Sequence, residues 1–337
     1  MIHQPLSIQN VKLLPRYFWH PSVVYIPECF GGHQWWMAQS PYHPGVELKP
    51  YRARWELPCI HWSDDGLHWK AVQTNPIDDL TEQQIRDEDY LSDPHLIYKN
   101  GILELYYRLT LLQNKQIEGN KTILYKKTSK DGVNWSERVV VADLRKKEDV
   151  EIWGRQIISQ AIVWTGNEYL CWYVDGSGYQ KNRGIKMTTS KDGVHWTKAK
   201  QCKIVDYGDT PWHIDVQQYD NMYHMLCYGD SQGVLTHLTS EDGEIWRYAG
   251  DILEPSHNWK DFYSERLYRA CSIRVNDMFY VYFSAASKHR SYIGLLQTSD
   301  WKNIKMCAPQ INIHYTLDYL YVLYNKIVNK CRKILKI

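Results

Sequence analysis

A seven-residue phrase, S-x-D-G-x-x-W, recurs four times: SDDGLHW at Ser63–Trp69, SKDGVNW at Ser129–Trp135, SKDGVHW at Ser190–Trp196 and SEDGEIW at Ser240–Trp246. A worn fifth copy keeps Ser299, Asp300 and Trp301. The starts lie 66, 61, 50 and 59 residues apart, and recurrence on this scale marks a repeat architecture. Each letter has a local reason. Ser and Asp side chains bond backbone amides within a turn, and Gly takes a positive φ that other residues resist. The Trp returns to the apolar interior, so the phrase reads as a hairpin turn used five times.

Each turn is preceded by the same material. A first run opens polar and becomes apolar: HPSVVYI from His20, DPHLIYK from Asp93, SQAIVW from Ser159, HIDVQQY from His213 and RACSIRV from Arg269. A short turn, an aromatic strand (WWMAQS, LELYYRL, EYLCWYV, MYHMLCY, FYVYFSA) and a third strand follow. Four antiparallel strands, five times, predict an all-β, five-bladed β-propeller rather than a pair of sandwiches. The expected propeller is 1–312, with blades near 16–75, 91–145, 156–206, 211–254 and 266–308. Ser7–Leu14 is expected to complete the last blade. The stretch 313–337 has apolar residues at helical spacing (Leu320, Leu323, Tyr324, Ile327, Cys331, Ile334, Leu335), with Lys326, Lys330, Arg332, Lys333 and Lys336 opposite. It reads as a C-terminal basic amphipathic helix, suited to docking on the propeller, to self-association or to peripheral contact with an anionic membrane.

Composition narrows the function classes. Trp (15) and Tyr (26) far outnumber Phe (5), a preference that suits strands and surfaces that stack on sugar rings. A formal net charge of +2 gives no footprint for nucleic acid. The eight cysteines are scattered singly, which reads as reduced buried thiols. No apolar signal segment opens the chain and no run is long enough to span a bilayer, so a cytoplasmic protein is expected, with the inner membrane face as a peripheral station.

Inner strands of a propeller begin at one end of its channel. The residues expected there are His20, Asp93 with His95, Ser159 with Gln160, His213 with Asp215, and Arg269. Side chains at i and i+2 share a strand face. His20 and His213 are candidate acid–base groups near neutral pH. Arg269, Arg155 and Arg108 are candidates for holding a phosphate or carboxylate, and Trp19, Trp153, Trp212 and Tyr268 for stacking on a sugar. No H-x-x-x-H or H-x-H spacing supports a transition-metal site. No cofactor is expected; carboxylates in the channel could hold a Ca²⁺, but no spacing in the sequence supports one.

The five-blade pattern, DPHLIY with LELYY, and the repeated turns resemble the propellers of glycoside hydrolase families 43, 32, 62 and 117, with the mannoside phosphorylases of family 130 as a further relative. The resemblance spans roughly Arg16 to Met306. It implies a carboxylate opening blade one, a second Asp at blade two and an acidic Glu from blade three. Asp93 matches the blade-two position. His20 stands at blade one and Ser159-Gln160-Ala161 at blade three, so the standard carboxylate set is incomplete; Asp215 and Glu151 are the expected replacements, since glycoside hydrolysis needs two carboxyl groups flanking the bond. The resulting expectation is a carbohydrate-active protein that binds an oligo- or polysaccharide, a sugar phosphate or a nucleotide sugar at the channel mouth. Hydrolysis, phosphorolysis and glycosyl transfer stay open. A non-catalytic sugar-binding or assembly propeller is the alternative.

Overall fold

The computed structural model describes residues 3–11, 17–41, 56–112, 121–176, 183–287, 290–308 and 312, and, discontinuously, positions between 315 and 330. Five separate sheets form the blades of a propeller. Their inner strands are Phe18–Phe30, Tyr90–Lys99, Ile158–Trp164, Pro211–Tyr219 and Arg266–Val275. Each inner strand touches the next around the ring, and the fifth touches the first. Within each blade the next two strands continue the antiparallel meander outward. Apolar clusters fill the spaces between neighbouring blades, as where Trp36, Leu96, Leu105 and Tyr107 join blades one and two.

The repeated phrase works in two directions. Inside the turn at Ser63–Trp69, Ser63 Oγ accepts from Gly66 N at 2.9 Å and Asp65 Oδ1 accepts from the amides of Leu67 and His68 at 2.8 Å. Trp69 Nε1 donates to Gly66 O at 3.1 Å. The Ser129 and Ser240 copies repeat all of these bonds, and the Ser190 copy repeats those made by its Ser and Asp. Outside the turn, the glycine is pressed against an aromatic of the preceding blade. A Cβ on Gly132 would stand 2.3 Å from the Trp36 ring, one on Gly193 2.4 Å from Tyr106 Oη, one on Gly243 2.7 Å from Trp172, and one on Gly66 2.7 Å from Tyr282 Oη. Tyr106 Oη, Trp172 Nε1 and Tyr282 Oη donate to the carbonyls of Gly193, Gly243 and Gly66. The phrase is therefore an inter-blade staple, and its Tyr282–Gly66 copy joins blade five to blade one.

Ring closure differs from expectation. Ser7–Ile8 pairs in parallel with His68–Ala71 on the outer edge of blade one, not with blade five. The backbone link to blade five is a bond from Leu6 N to Ile293 O at 2.9 Å. Asn312 clamps the segment, its Nδ2 donating to Leu6 O at 2.8 Å while its own amide bonds Gln4 Oε1. The same device recurs at Lys203–Val205, which lie in parallel against the outer strand of blade four rather than within blade three.

Two short helices sit in the segments that join blade one to blade two and blade two to blade three. Helix α1 (Glu82–Arg86) opens on a capping box of Thr81 and Gln84. Helix α2 (Lys147–Trp153) packs on Val139–Asp143, the outermost strand of blade two. Near the C-terminus the described positions between 315 and 330 are helical; Tyr315 is buried beside Phe262 and Tyr292, and Tyr319 stacks on Trp259. Lys326, Cys331, Arg332, Lys333, Ile334, Leu335 and Lys336 of the expected amphipathic pattern have side chains outside the described residues. No described helix is long and apolar enough to cross a membrane. All seven described cysteines are free thiols.

Candidate active site

Three inner strands break their ladders at equivalent points, between Trp19 and Ser22, Ser92 and His95, and Ile158 and Ala161. The first residue of each bulge, His20, Asp93 or Ser159, has a left-handed backbone with φ of 54°, 50° and 52°. This conformation costs a non-glycine residue about 1–2 kcal/mol. Bulges re-aim side chains, and strain of this kind gathers where function over-determines the backbone. Blades four and five break register at Trp212 and at Tyr268-Arg269. The result is a layer of buried polar side chains at the centre of the ring.

Asp93 is its hub. Its Oδ2 accepts from Arg108 Nε at 2.6 Å and from the Ser159 amide at 3.1 Å. Its Oδ1 faces His20 Nε2 at 3.5 Å, His213 Nδ1 at 3.7 Å and Arg269 Nη1 at 3.7 Å. Burial alone would raise this carboxyl; Arg108 first, then His20, His213 and Arg269, outweigh it and hold it ionised, far below the usual carboxylate range. His20 is aimed from behind, its Nδ1 lying 3.0 Å from Glu56 Oε1 and 2.9 Å from Ser40 Oγ. Burial raises the Glu56 carboxyl, with His20 opposing the shift. Burial drives His213 well below the ordinary imidazole range despite the pull of Asp93, so its ring is neutral.

A second layer lies two residues further along two strands. His95 bonds the backbone of Ile162 through Nε2 at 2.8 Å, and its Nδ1 faces Asp215 Oδ1 at 3.8 Å. Asp215 Oδ2 accepts from the Ser272 amide at 3.1 Å. Burial lifts the Asp215 carboxyl to about 7, with Arg269 opposing, and lowers His95 to about 3. His95 is thus committed to joining blades two and three.

The mouth of the site is aromatic. Tyr268 packs edge-on against His213 with centroids 4.1 Å apart, and against Trp19 at 5.1 Å. Trp212 Nε1 donates to Tyr268 Oη at 3.0 Å. Trp19 is buried, whereas Trp212 and Tyr268 are half-buried and reach solvent.

Three expected site residues lie elsewhere. Glu151 is exposed on α2 beside Lys147, because that helix packs outward on blade two instead of folding over the channel. Trp153 is core, wedged between Tyr173 and Trp196. Arg155 is exposed, and its backbone amide bonds Asp175. Arg108 does reach the cluster, but its guanidinium is occupied by Asp93 and Thr110. Glu56 lies in no repeated segment and Ser40 only ends the aromatic strand WWMAQS, so neither was marked as a site residue by the sequence.

The unpartnered atoms define what the cluster can hold. Among the described residues, His20 Nε2, Asp93 Oδ1 and both ring nitrogens of His213 are buried with no hydrogen-bond partner. One donor atom from each of these three residues lies within 4.8 Å of the others. Buried polar atoms are normally satisfied; ligands about 2.1 Å from a shared ion stand no more than about 4.2 Å apart, so binding would draw these atoms slightly together. Two imidazoles and one carboxylate fit a borderline transition-metal ion better than the all-oxygen shell Ca²⁺ prefers. Sequence spacing could not show this set, because each ligand comes from a different blade. The carboxylate–imidazole contact from Glu56 to His20 is the outer support such ligands use.

No family model matches the chain. A curated relative, the A type blood N-acetyl-alpha-D-galactosamine deacetylase of Flavonifractor plautii, is 24% identical across an alignment of 300 residues that covers 74% of this chain. The match covers 37% of that relative's length. The crystal structure of an N-acetylgalactosamine deacetylase from F. plautii, in complex with blood group B trisaccharide, superposes with a TM-score of 0.68 at 20% identity, covering 89% of this chain and 94% of that one. The GH43_1 enzyme of Xanthomonas citri, complexed with xylose, gives 0.61 at 12% identity, covering 91% and 93%. This chain shares their propeller. The likeness confirms the five-bladed architecture expected from the repeated phrase and places family 43 enzymes among its structural neighbours.

Proposed function

We propose that this protein is a carbohydrate-active hydrolase that removes an acyl group, as an N-acetyl amide, from a saccharide at the mouth of the channel. The observation that carries this reading is the convergence of unpartnered donor atoms from His20, Asp93 and His213. These residues would hold a divalent cation. Such an ion, when bound, supplies a polarised carbonyl and an acidified water. The chain's own groups do the rest. Glu56 and Ser40 fix the His20 ring, and Arg108 with the Ser159 amide turns Asp93 so that Oδ1 faces the cluster. Tyr268 and Trp212 form the apolar wall at the half-buried mouth. In the reaction water adds to the acyl carbon, the C–N bond breaks and the nitrogen leaves with a proton. The curated deacetylase relative supports this class of substrate.

A second reading is glycosidic hydrolysis, and one observation favours it. Asp215, lifted to about 7, is a carboxylic acid able to donate near neutrality, while Asp93 stays ionised. Against it, Asp215 lies in the deeper layer, held by Ser272 and facing His95. Incubation with N-acetylated oligosaccharides separates the readings. Acetate release that EDTA abolishes and Zn²⁺, Mn²⁺ or Co²⁺ restores supports deacylation. New reducing ends without acetate, insensitive to EDTA, support glycosidic cleavage. Neither product, with saccharide binding retained, supports a non-catalytic sugar-binding propeller.

A further inference from the structure

We infer that the channel mouth carries a subsite for an anionic substituent of the saccharide, a carboxylate or a sulfate, built from Arg183 and Arg266 around the aromatic wall. The inference rests on the reading that the substrate is a saccharide bound at this mouth.

Arg183 is the stronger half. Its guanidinium lies 4.2 Å above the Trp212 ring and its side chain is 2% exposed. Only one nitrogen is satisfied among the described residues: Nη2 donates to Asp230 Oδ2 at 2.6 Å, while Nε and Nη1 are buried without partners. A buried guanidinium keeping two donor nitrogens idle is costly. An acceptor arriving with a ligand relieves that cost, and charge-assisted bonds of this kind are the stronger class. Asp230 is exposed, so it steadies the guanidinium without being sealed against it.

Arg266 comes from another blade to the same wall. Its guanidinium carbon lies 5.0 Å from the Trp19 ring and 5.4 Å from the Tyr268 ring, and the side chain is half-buried. No carboxylate pairs with it among the described residues. Trp212 and Tyr268, which carry the two arginines, are bonded to each other at 3.0 Å, and Tyr268 packs on His213. The aromatics therefore offer faces for a sugar ring, and the arginines offer cations along the same wall. A neutral saccharide uses the first and leaves the second idle; an acidic one uses both. Planar guanidinium stacked on an aromatic is also preorganised for an anionic oxygen pair.

The test is calorimetric titration of the full chain with three disaccharides that share an N-acetylhexosamine: one neutral, one bearing a uronate and one bearing a sulfate ester. The expected result is at least about tenfold tighter binding of an anionic ligand than of the neutral one, equivalent to about 1.4 kcal/mol. R183M and R266M should each cut that preference while leaving neutral-ligand affinity unchanged. A preference for uronate alone or sulfate alone identifies the anion. Equal affinity for all three ligands overturns the subsite, as does a preference that survives both substitutions. R266M, at a half-buried position, keeps the test open if R183M fails to fold. A preserved anion preference in H213A, with acetate release lost, separates this subsite from the hydrolytic site.

Discussion

Asp93→Asn removes the charge on which the centre of the ring depends, and its cost can be worked out. The substitution is isosteric, so the amide oxygen it introduces still accepts from Arg108 Nε and the Ser159 amide, now 2.6 and 3.1 Å from the carboxylate. What disappears is the counter-charge to two buried guanidinium groups, Arg108 and Arg269. Breaking a buried pair by removing one partner costs about 3–5 kcal/mol, and the retained hydrogen bonds put this case at the lower end of that range. For a chain of 337 residues the unfolding entropy is about 0.7 kcal/mol/K at roughly 2.1 cal/mol/K per residue. The melting temperature should therefore fall by about 4 °C. Calorimetry at pH 7 in EDTA removes any contribution from bound metal. Adding Arg108→Met to Asp93→Asn should return at least half of the loss, because the double variant no longer strands that guanidinium. A shift under about 1 °C, or strictly additive losses in the double variant, would refute the assignment of Asp93 as electrostatic hub.

Gly132→Ala should cost about 3 kcal/mol in urea denaturation, since its Cβ meets the Trp36 ring at 2.3 Å on a φ of +78°. Gly101→Ala shares that φ but faces open space, so the same measurement should show only about 1–2 kcal/mol. Glu56→Gln should weaken binding of Zn²⁺ or Mn²⁺ about 10- to 100-fold through His20, as measured by competition with a chromophoric chelator. Burial lowers His61 to about 4 and His237 to about 3, with Gln9 opposing the first shift and His224 adding to the second. The unfolded chain therefore takes up these protons first, near pH 6.5, and stability is lost as pH falls from there toward 4. The slope is at most about 1.4 kcal/mol per pH unit for each group. The dependence of urea midpoints on pH between about 7 and 5 should flatten in His237→Leu.

The fold was legible because its signal is local. Ser129, Asp131, Gly132 and Trp135 each satisfy a bond inside their own turn, so repetition of the phrase reports repetition of the blade. Its second role, pressing Gly132 on Trp36, was hidden because that contact joins blades. The openings of the inner strands pointed to His20, Asp93, His213 and Arg269, residues the structure brings together. Which atoms meet was not legible: the left-handed bulges at His20 and Asp93 set the aim, and although His and Asp are enriched in that backbone, only a small share of them adopt it. The His–His–Asp set escaped spacing rules because its members lie 73 and 120 positions apart. Glu151 offers the expected charge in the loop before blade three, but the outward packing of α2 on blade two keeps it from the channel. Arg183 precedes the third strand of blade three in no repeated phrase, and only its stacking on Trp212 reveals it.

The most direct measurement is the metal content of the purified full chain after dialysis against trace Zn²⁺ and Mn²⁺, read by mass spectrometry beside His20→Ala and His213→Ala. The expected result is a single divalent ion per wild-type chain and near-complete loss in both variants, with each variant still folded by circular dichroism. Equal metal in all three proteins, or none in the wild type with acetate release intact, would contradict it.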